Sequence, residues 1–435
     1  MRRRLFFNTA LMTGASVIMR CIAMAFQGYL SSRVGAAGLG LYQLVMSVEL
    51  LATTFAVSGI RFAVTRLVSE ELGLGRGSGV HGAMVRSVLY ALFFGSAAMF
   101  LLSRFAEPIG FLWIGDARTV KSLRILAFGL PCLALSSVLS GYFTACGRIW
   151  KPSLVHLIEQ CALVVFVAAA LNRVPEGDIE LSCSAICVGV TASDILSLAL
   201  MLGFYTHDRR VHGARQGESV RLTARMLYVA VPLAVSAYAR SALSTLEHLL
   251  VPRGFRKSGL SADAALAGYG IIHGMVMPVI GFPASALTSL AENVIPELTN
   301  AQVRGERERI RREVRSLISM SVLFSIAAAV ILYLTSDFIG TALFSSAEAG
   351  KYIRILCPLI PFMYTDTVVD GCLKGLGQQV WSMGINILDA GLGVLLVYFL
   401  LPIGALEAYI GIIYFNELLN LTLSVTRLRK AVMRQ

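Results

Sequence analysis

Apolar runs of about 18–25 residues recur twelve times along this chain, parted by short polar stretches: 6–30, 38–60, 83–102, 122–145, 153–172, 182–204, 224–250, 266–290, 316–335, 352–373, 381–401 and 406–426. Each run is long enough to cross a hydrocarbon layer of about 30 Å as a helix. None alternates with the period of two that a membrane-spanning barrel strand requires. The pattern predicts an all-α polytopic membrane protein with twelve transmembrane helices.

A constant offset runs through the pattern. Shifting the sequence by 230 positions places Pro131 on Pro361, Val138 on Val368, Gly141 on Gly371 and Gly147 on Gly377. The same shift places Glu159 on Asp389, His156 on Asn386, Gly38 on Gly268 and Gly40 on Gly270. One offset joining a proline, glycines and an acid predicts two homologous halves, a repeat that transporters often carry. The basic, polar stretch 205–225 is where they meet, giving an amino-terminal six-helix lobe (1–215) and a carboxy-terminal one (216–435).

Composition agrees: 56% of the 435 residues are hydrophobic, 15% are charged, and the mean hydropathy is +0.71. A soluble protein of this size needs more charge to cover its surface. The net charge of +12 sits between spans, so it reads as a topology signal, and no nucleic-acid partner is expected. With the amino terminus inside, the inner segments carry 25 Lys and Arg against 11 in the outer ones, so both termini are expected in the cytoplasm. No cleavable signal peptide is expected, because 1–4 lead straight into a full-length apolar run. The eight cysteines lie almost entirely inside apolar runs, which predicts neither a disulfide framework nor a zinc site. The charged run 300–315 places Glu308 with Arg312 and Arg309 with Glu313 at i,i+4, predicting a short helix at headgroup level.

The glycine-rich stretch 72–79 lacks GxxxxGK[ST] and reads as a flexible inside loop rather than a nucleotide site. No nucleophilic triad, HExxH or paired metal-ligand spacing stands out, so no enzyme and no cofactor are expected. With no ATPase module in the chain, active transport would draw on sodium or protons, the membrane potential or substrate supply. The informative residues are the charges inside spans, each costing about 2.5–3.5 kcal/mol or more near the bilayer centre unless it faces a cavity or a partner. Arg20 and Gln27 share a face of span 1, and Arg240, Ser244, Glu247 and His248 lie close to one face of span 7. Span 5 carries His156 and Glu159, span 6 Asp194, and span 10 Asp366, Asp370 and Lys374 at i, i+4, i+8. Span 11 carries Asn386 and Asp389, and span 12 Asn416 and Glu417. The cationic and polar set Arg20, Gln27, Arg240 and His248 would receive an anionic headgroup. The carboxylates Glu159, Asp194, Glu247, Asp366, Asp370 and Asp389 would serve as ion or proton sites. The structural alternative for all of them is interhelical glue.

Residues 19–40, MRCIAMAFQGYLSSRVGAAGLG, and the following LYQLVMSVELLATTFAVSGIRFAVTRLVSEELG resemble the amino-terminal signature of the stage V sporulation protein B type of polysaccharide transporter. GYFTACGRIWKP (141–152) and GCLKGLGQQ (371–379) are similar to its paired small-residue motifs. This group belongs to the multidrug/oligosaccharidyl-lipid/polysaccharide exporter superfamily. The resemblance implies two six-helix lobes related by a pseudo-twofold axis along the membrane normal, and alternating access. It also implies a lipid-linked, undecaprenyl-type glycan for envelope or spore-cortex synthesis as substrate, with membrane lipids as the other partner and a monomer in the cytoplasmic membrane. The lipid II flippase branch has an arginine matching Arg20, but its second arginine falls on Phe26 and its acid near the end of span 2 falls on Ser58. Arg20 alone therefore inherits a headgroup role. The rival readings are a sodium- or proton-coupled multidrug antiporter of the same superfamily and a membrane-embedded glycosyl- or phosphotransferase.

Overall fold

A computed structural model describes residues 2–75, 77–175, 177–211 and 222–434. Among them every regular element is helical: α1 (Arg2–Val57), α2 (Ile60–Gly73), α3 (Gly77–Pro108), α4 (Thr119–Ala127), α5 (Leu130–Ala145), α6 (Trp150–Leu171) and α7 (Ile179–Val211) come first. Then follow α8 (Leu222–Lys257), α9 (Ala262–Gly270), α10 (Met277–Val303), α11 (Arg307–Phe344), α12 (Ala347–Leu356), α13 (Ile360–Gly375) and α14 (Gln379–Arg434). Wide π-turns extend α3 (Ile109–Ile114) and join α9 to α10 (Ile271–Val276).

Eight helices among the described residues are long and apolar enough to cross a membrane, or up to nine when α4 and α5, bent by 42°, count as one. The twelve expected runs are consistent with this layout, because two long helices each hold two of them and the run 352–373 falls on α12 and α13. α1 is broken at Gly35 (φ 69°, ψ 178°), between the first and second runs. α14 is broken at Ala405 (φ 46°, ψ −129°), between the last two. Glycine reaches the Gly35 conformation without a Cβ penalty. The short helix expected over 300–315 is not separate: its charged turns open the 38-residue α11, since no proline or glycine lies between Arg307 and Ile339. The Arg309–Glu313 pair forms at 2.6 Å, while Glu308 pairs with Arg311 at i,i+3 rather than with Arg312.

Large apolar side chains point outward, as a hydrocarbon solvent permits: Leu323, Leu334 and Phe338 of α11 are 72%, 75% and 72% exposed. Between Ser321 and Gly340 the inward stripe of the same helix is small apart from Leu332: Ser321, Ser325, Ala328, Ser336 and Gly340 are buried. The three serine hydroxyls donate to carbonyls of their own helix. Between apolar solvent and apolar protein there is little hydrophobic drive, so close backbone approach at small residues holds helices together.

The described residues form two compact units, one built around Leu44–Thr245 and the other joining Ser16–Gln43 to Leu246–Gln435. The division runs through α1 and α8; the boundary expected at 215/216 lies outside the described residues.

The 230-residue repeat is visible as matched joints. In the first unit, a Cβ on Gly141 would lie 2.7 Å from the Arg61 carbonyl oxygen; in the second, one on Gly371 would lie 3.1 Å from that of Ala291. Helix α5 closes with Gly147 at φ 69°, Arg148 N–H donating to Phe143 and Gly147 N–H to Thr144. Helix α13 closes identically with Gly377 at φ 70°, Gln378 donating to Leu373 and Gly377 to Lys374. Both are glycine C-caps of the same left-handed kind. Inside the second unit the repeat meets itself: a Cβ on Gly40 would lie 2.1 Å from the Leu266 carbonyl, and one on Gly270 2.1 Å from the Ala36 carbonyl. Each contact maps onto the other by the same shift, so α1 crosses the end of α9 about a local twofold.

Candidate functional site

The second unit gathers polar groups from α8, α13 and both halves of α14. Gly393 leaves the room: a Cβ there would lie 2.9 Å from Asn416 Nδ2 and 3.3 Å from Glu247 Oε1. Glu247 is an electrostatic neighbour of Asp389, and Glu417 of both Asp366 and Asp389. Asp366 accepts a hydrogen bond from Ser424. Four oxygens here, Asp366 Oδ1, Asp389 Oδ1, Asn416 Oδ1 and Asn420 Oδ1, are buried without a hydrogen-bond partner in the protein. Buried polar atoms are satisfied in the great majority of cases, so four unpartnered oxygens on α13 and α14 stand out. Asp370 is different: Ser382 donates to it, and Lys374 Nζ lies 2.5 Å from its Oδ2. Among the described residues, no three His, Cys, Asp or Glu side chains form a group that could hold a metal ion.

The expected cationic set is distributed. Arg20 is exposed on α1 and donates through Nη1 to the carbonyl of Gly281 at 3.3 Å, within the second unit. That carbonyl lies two residues before Pro283, in an apolar helix where α13 also donates, from Tyr364 to Ile280 at 2.5 Å. Gln27 is half-buried seven residues on. Arg240 is exposed and belongs to the first unit. His248 joins a cluster that the sequence did not single out: its Nδ1 lies 3.1 Å from the Tyr269 hydroxyl and its ring 4.7 Å from that of His273. His273 Nε2 in turn lies 2.6 Å from the Tyr409 hydroxyl. This aromatic and imidazole core ties α8, α9 and α14 together, and only the lone His273 inside an apolar run hinted at it.

In the first unit, Ser197 donates to Glu159 at 2.7 Å and His156 Nδ1 lies 3.3 Å from the same oxygen. Asp194 is 6% exposed and its carboxylate lies against the backbone of Gly129, where a Cβ would fall 2.8 Å from Oδ2. Glu49 accepts a 3.0 Å hydrogen bond from Thr53. The sequence missed a fourth acid. Asp208 is 2% exposed at the end of α7, where it accepts from Tyr142 at 3.0 Å, lies 3.3 Å from Lys151 Nζ and is ion-paired with Arg148. Lys151 Nζ also sits 4.7 Å over the Phe143 ring. Arg148 and Lys151 read in the sequence as inside-loop charges, and only the repeat-related motif GYFTACGRIWKP pointed to them.

Long apolar helices with lipid-facing side chains, small-residue crossings and buried acids define a polytopic α-helical membrane protein. The polysaccharide biosynthesis protein family matches residues 5–253, and the chain belongs to that family; the family described as MatE matches 257–399. Stage V sporulation protein B of Bacillus subtilis (strain 168) is 21% identical over 93% of this chain and 78% of its own length. The fold is that of MOP-superfamily transporters. It matches lipid II flippase MurJ in an inward closed conformation with a TM-score of 0.74, 12% identity, and 98% and 89% coverage of the two chains. It matches an inward-facing multidrug resistance MATE family transporter with a TM-score of 0.70, 13% identity, and 96% and 98% coverage.

Proposed function

We propose that this protein is an alternating-access flippase for an undecaprenyl-type lipid-linked oligosaccharide or peptidoglycan precursor. It would turn the substrate from the inner to the outer leaflet of the bacterial cytoplasmic membrane, with both termini in the cytoplasm, and would do no covalent chemistry. The observation that carries this reading is the polysaccharide-family match combined with a lipid II flippase fold over nearly the whole chain. Arg20 offers a guanidinium held by one carbonyl bond, which leaves further donors for a diphosphate, the anion its planar fork suits best. The acids Glu247, Asp366 and Asp389, with Asn416, are the proposed site of a coupling proton or sodium ion.

The MatE match and this acidic group favour one rival, a cation-coupled drug antiporter. Purified protein in proteoliposomes decides between them. The expected result is delivery of a fluorescent undecaprenyl diphosphate-linked sugar to an outer-leaflet lectin, with no efflux of a lipophilic cationic dye. Dye efflux without glycolipid movement would overturn the flippase reading. Consumption of the glycolipid with release of a product would mark a transferase.

A further inference from the structure

The outer end of α8 runs against the usual charge rule. Of the eleven Lys and Arg in the outer segments, three fall within five residues: Arg253, Arg256 and Lys257. Membrane proteins concentrate such charges on the cytoplasmic side, so a basic group here works against the orientation signal. The structure gives it a shape. A cavity of about 390 Å³ is lined by Arg253, Arg256 and Lys257 together with Leu250, Val397, Tyr398 and Pro402. Gly254 makes this possible, because a Cβ there would lie 2.5 Å from Leu401 Cβ; its absence lets α8 lie directly on the first half of α14. The close crossing brings Lys257 Nζ to 5.2 Å from the centre of the Tyr398 ring. The volume falls in the roughly 300–1,000 Å³ range of small-ligand sites.

The lining has two characters. Leu250, Val397 and Pro402 are apolar, while the two guanidiniums and the ammonium come from the last turns of α8. A ligand that satisfies both has an anionic head and a hydrocarbon stem, and basic pockets between membrane helices bind lipid headgroups on this principle. Cations at a helix carboxy-terminus also complement its dipole, but one in the last turn suffices for that and needs no cavity.

We propose that Arg253, Arg256, Lys257 and Tyr398 form a binding site for the phosphate headgroup of a lipid in the leaflet that the α8 carboxy-terminus reaches. The site's assignment to the outer leaflet rests on the orientation proposed above; its existence does not. Two lipids carry this chemistry there: the delivered undecaprenyl diphosphate species and an ordinary anionic phospholipid.

Native mass spectrometry of the full-length protein in detergent separates them. The protein is titrated with undecaprenyl diphosphate, with phosphatidylglycerol and with zwitterionic phosphatidylcholine. The variant combines Arg253→Gln, Arg256→Gln and Lys257→Gln, and the control combines Arg304→Gln, Arg307→Gln and Arg311→Gln. The expected result is at least a tenfold loss of anionic-lipid retention in the first variant and little change in the control. Loss confined to undecaprenyl diphosphate assigns the site to the substrate lipid; equal loss for phosphatidylglycerol assigns it to phospholipid. Unchanged retention of both anionic lipids, or a loss for phosphatidylcholine as large, overturns the site. If the triple variant fails to fold, Tyr398→Leu with Lys257→Gln is read against the same criteria. The readout is binding, so a protein that moves no glycolipid can still show the site, and one that flips can lack it.

Discussion

At the scale of single residues, the acids and glycines carry most of the argument. Asp389 has a buried oxygen with no protein partner, so its charge has no structural counter-ion to lose. Asp389→Asn keeps the shape and removes the charge; it is expected to abolish ion dependence of transport and to leave the melting temperature within a few degrees of wild type. Lost expression with ion dependence intact would make the residue interhelical glue. Arg20 is tested by its own hydrogen bond. Arg20→Gln retains a donor for the Gly281 carbonyl but loses the cation, so a headgroup role predicts lost transport in a protein that folds and inserts normally. Near-normal transport by Arg20→Gln would show that the carbonyl bond was all that mattered. Charges inside spans were legible because a charge in an apolar run is rare. Their neighbours were not, because Glu247, Asp389 and Asn416 come from three helix segments far apart in sequence, brought together beside Gly393.

At the scale of elements, the glycine spacing in the sequence translated into geometry. Gly40 and Gly270 match at an offset of 230, and each abuts the carbonyl of the other's helix. A methyl at either position must push two backbones apart, and overpacking of this kind costs about 1–3 kcal/mol. Gly40→Ala and Gly270→Ala are each expected to lower the melting temperature, and the double variant to lose less than the sum, since one displacement serves both. Additive losses would show that the two contacts are independent. The break between α1 and α2 falls at the expected end of the run 38–60, but what holds it was not legible. Ser58 and Gly59 adopt φ of 48° and 71°, and the Tyr90 hydroxyl donates to the Ser58 carbonyl at 3.1 Å and approaches its Oγ at 3.2 Å, with Tyr238 bonded to the same hydroxyl. The tyrosines that over-determine the break come from 32 and 180 residues away, beyond the reach of any local pattern. Gly59→Ala faces both the left-handed backbone and a 2.6 Å approach to the Ala230 carbonyl, and is expected to reduce folded protein sharply, read as monodisperse yield in detergent.

At the scale of the whole molecule, hydropathy specified the membrane and the helical class because no soluble arrangement could cover so much apolar surface. It was less informative about how many helices a span contains. The breaks at Gly35 and Ala405 each occupy a single residue, so each pair of runs lies in what is otherwise one long helix. Orientation rests on charge alone, 25 inner against 11 outer Lys and Arg, and three of those eleven are the group at the end of α8. If 253–257 is basic because it binds a headgroup, removing it from the count strengthens the bias to 25 against 8, in favour of the orientation proposed above. Labelling of single cysteines in a cysteine-free background tests this. A cysteine replacing Gly77, Gln216 or Gly305 is expected to be shielded from an impermeant maleimide in intact cells, and one replacing Gly177 or Ser258 to be labelled. The Ser258 position matters most, because it follows the basic group directly. Its protection, with Gly177 still labelled, would place the end of α8 on the cytoplasmic side and return those three cations to the ordinary topology rule. Labelling at Ser258 leaves them as an outer-face cluster that the positive-inside rule does not explain.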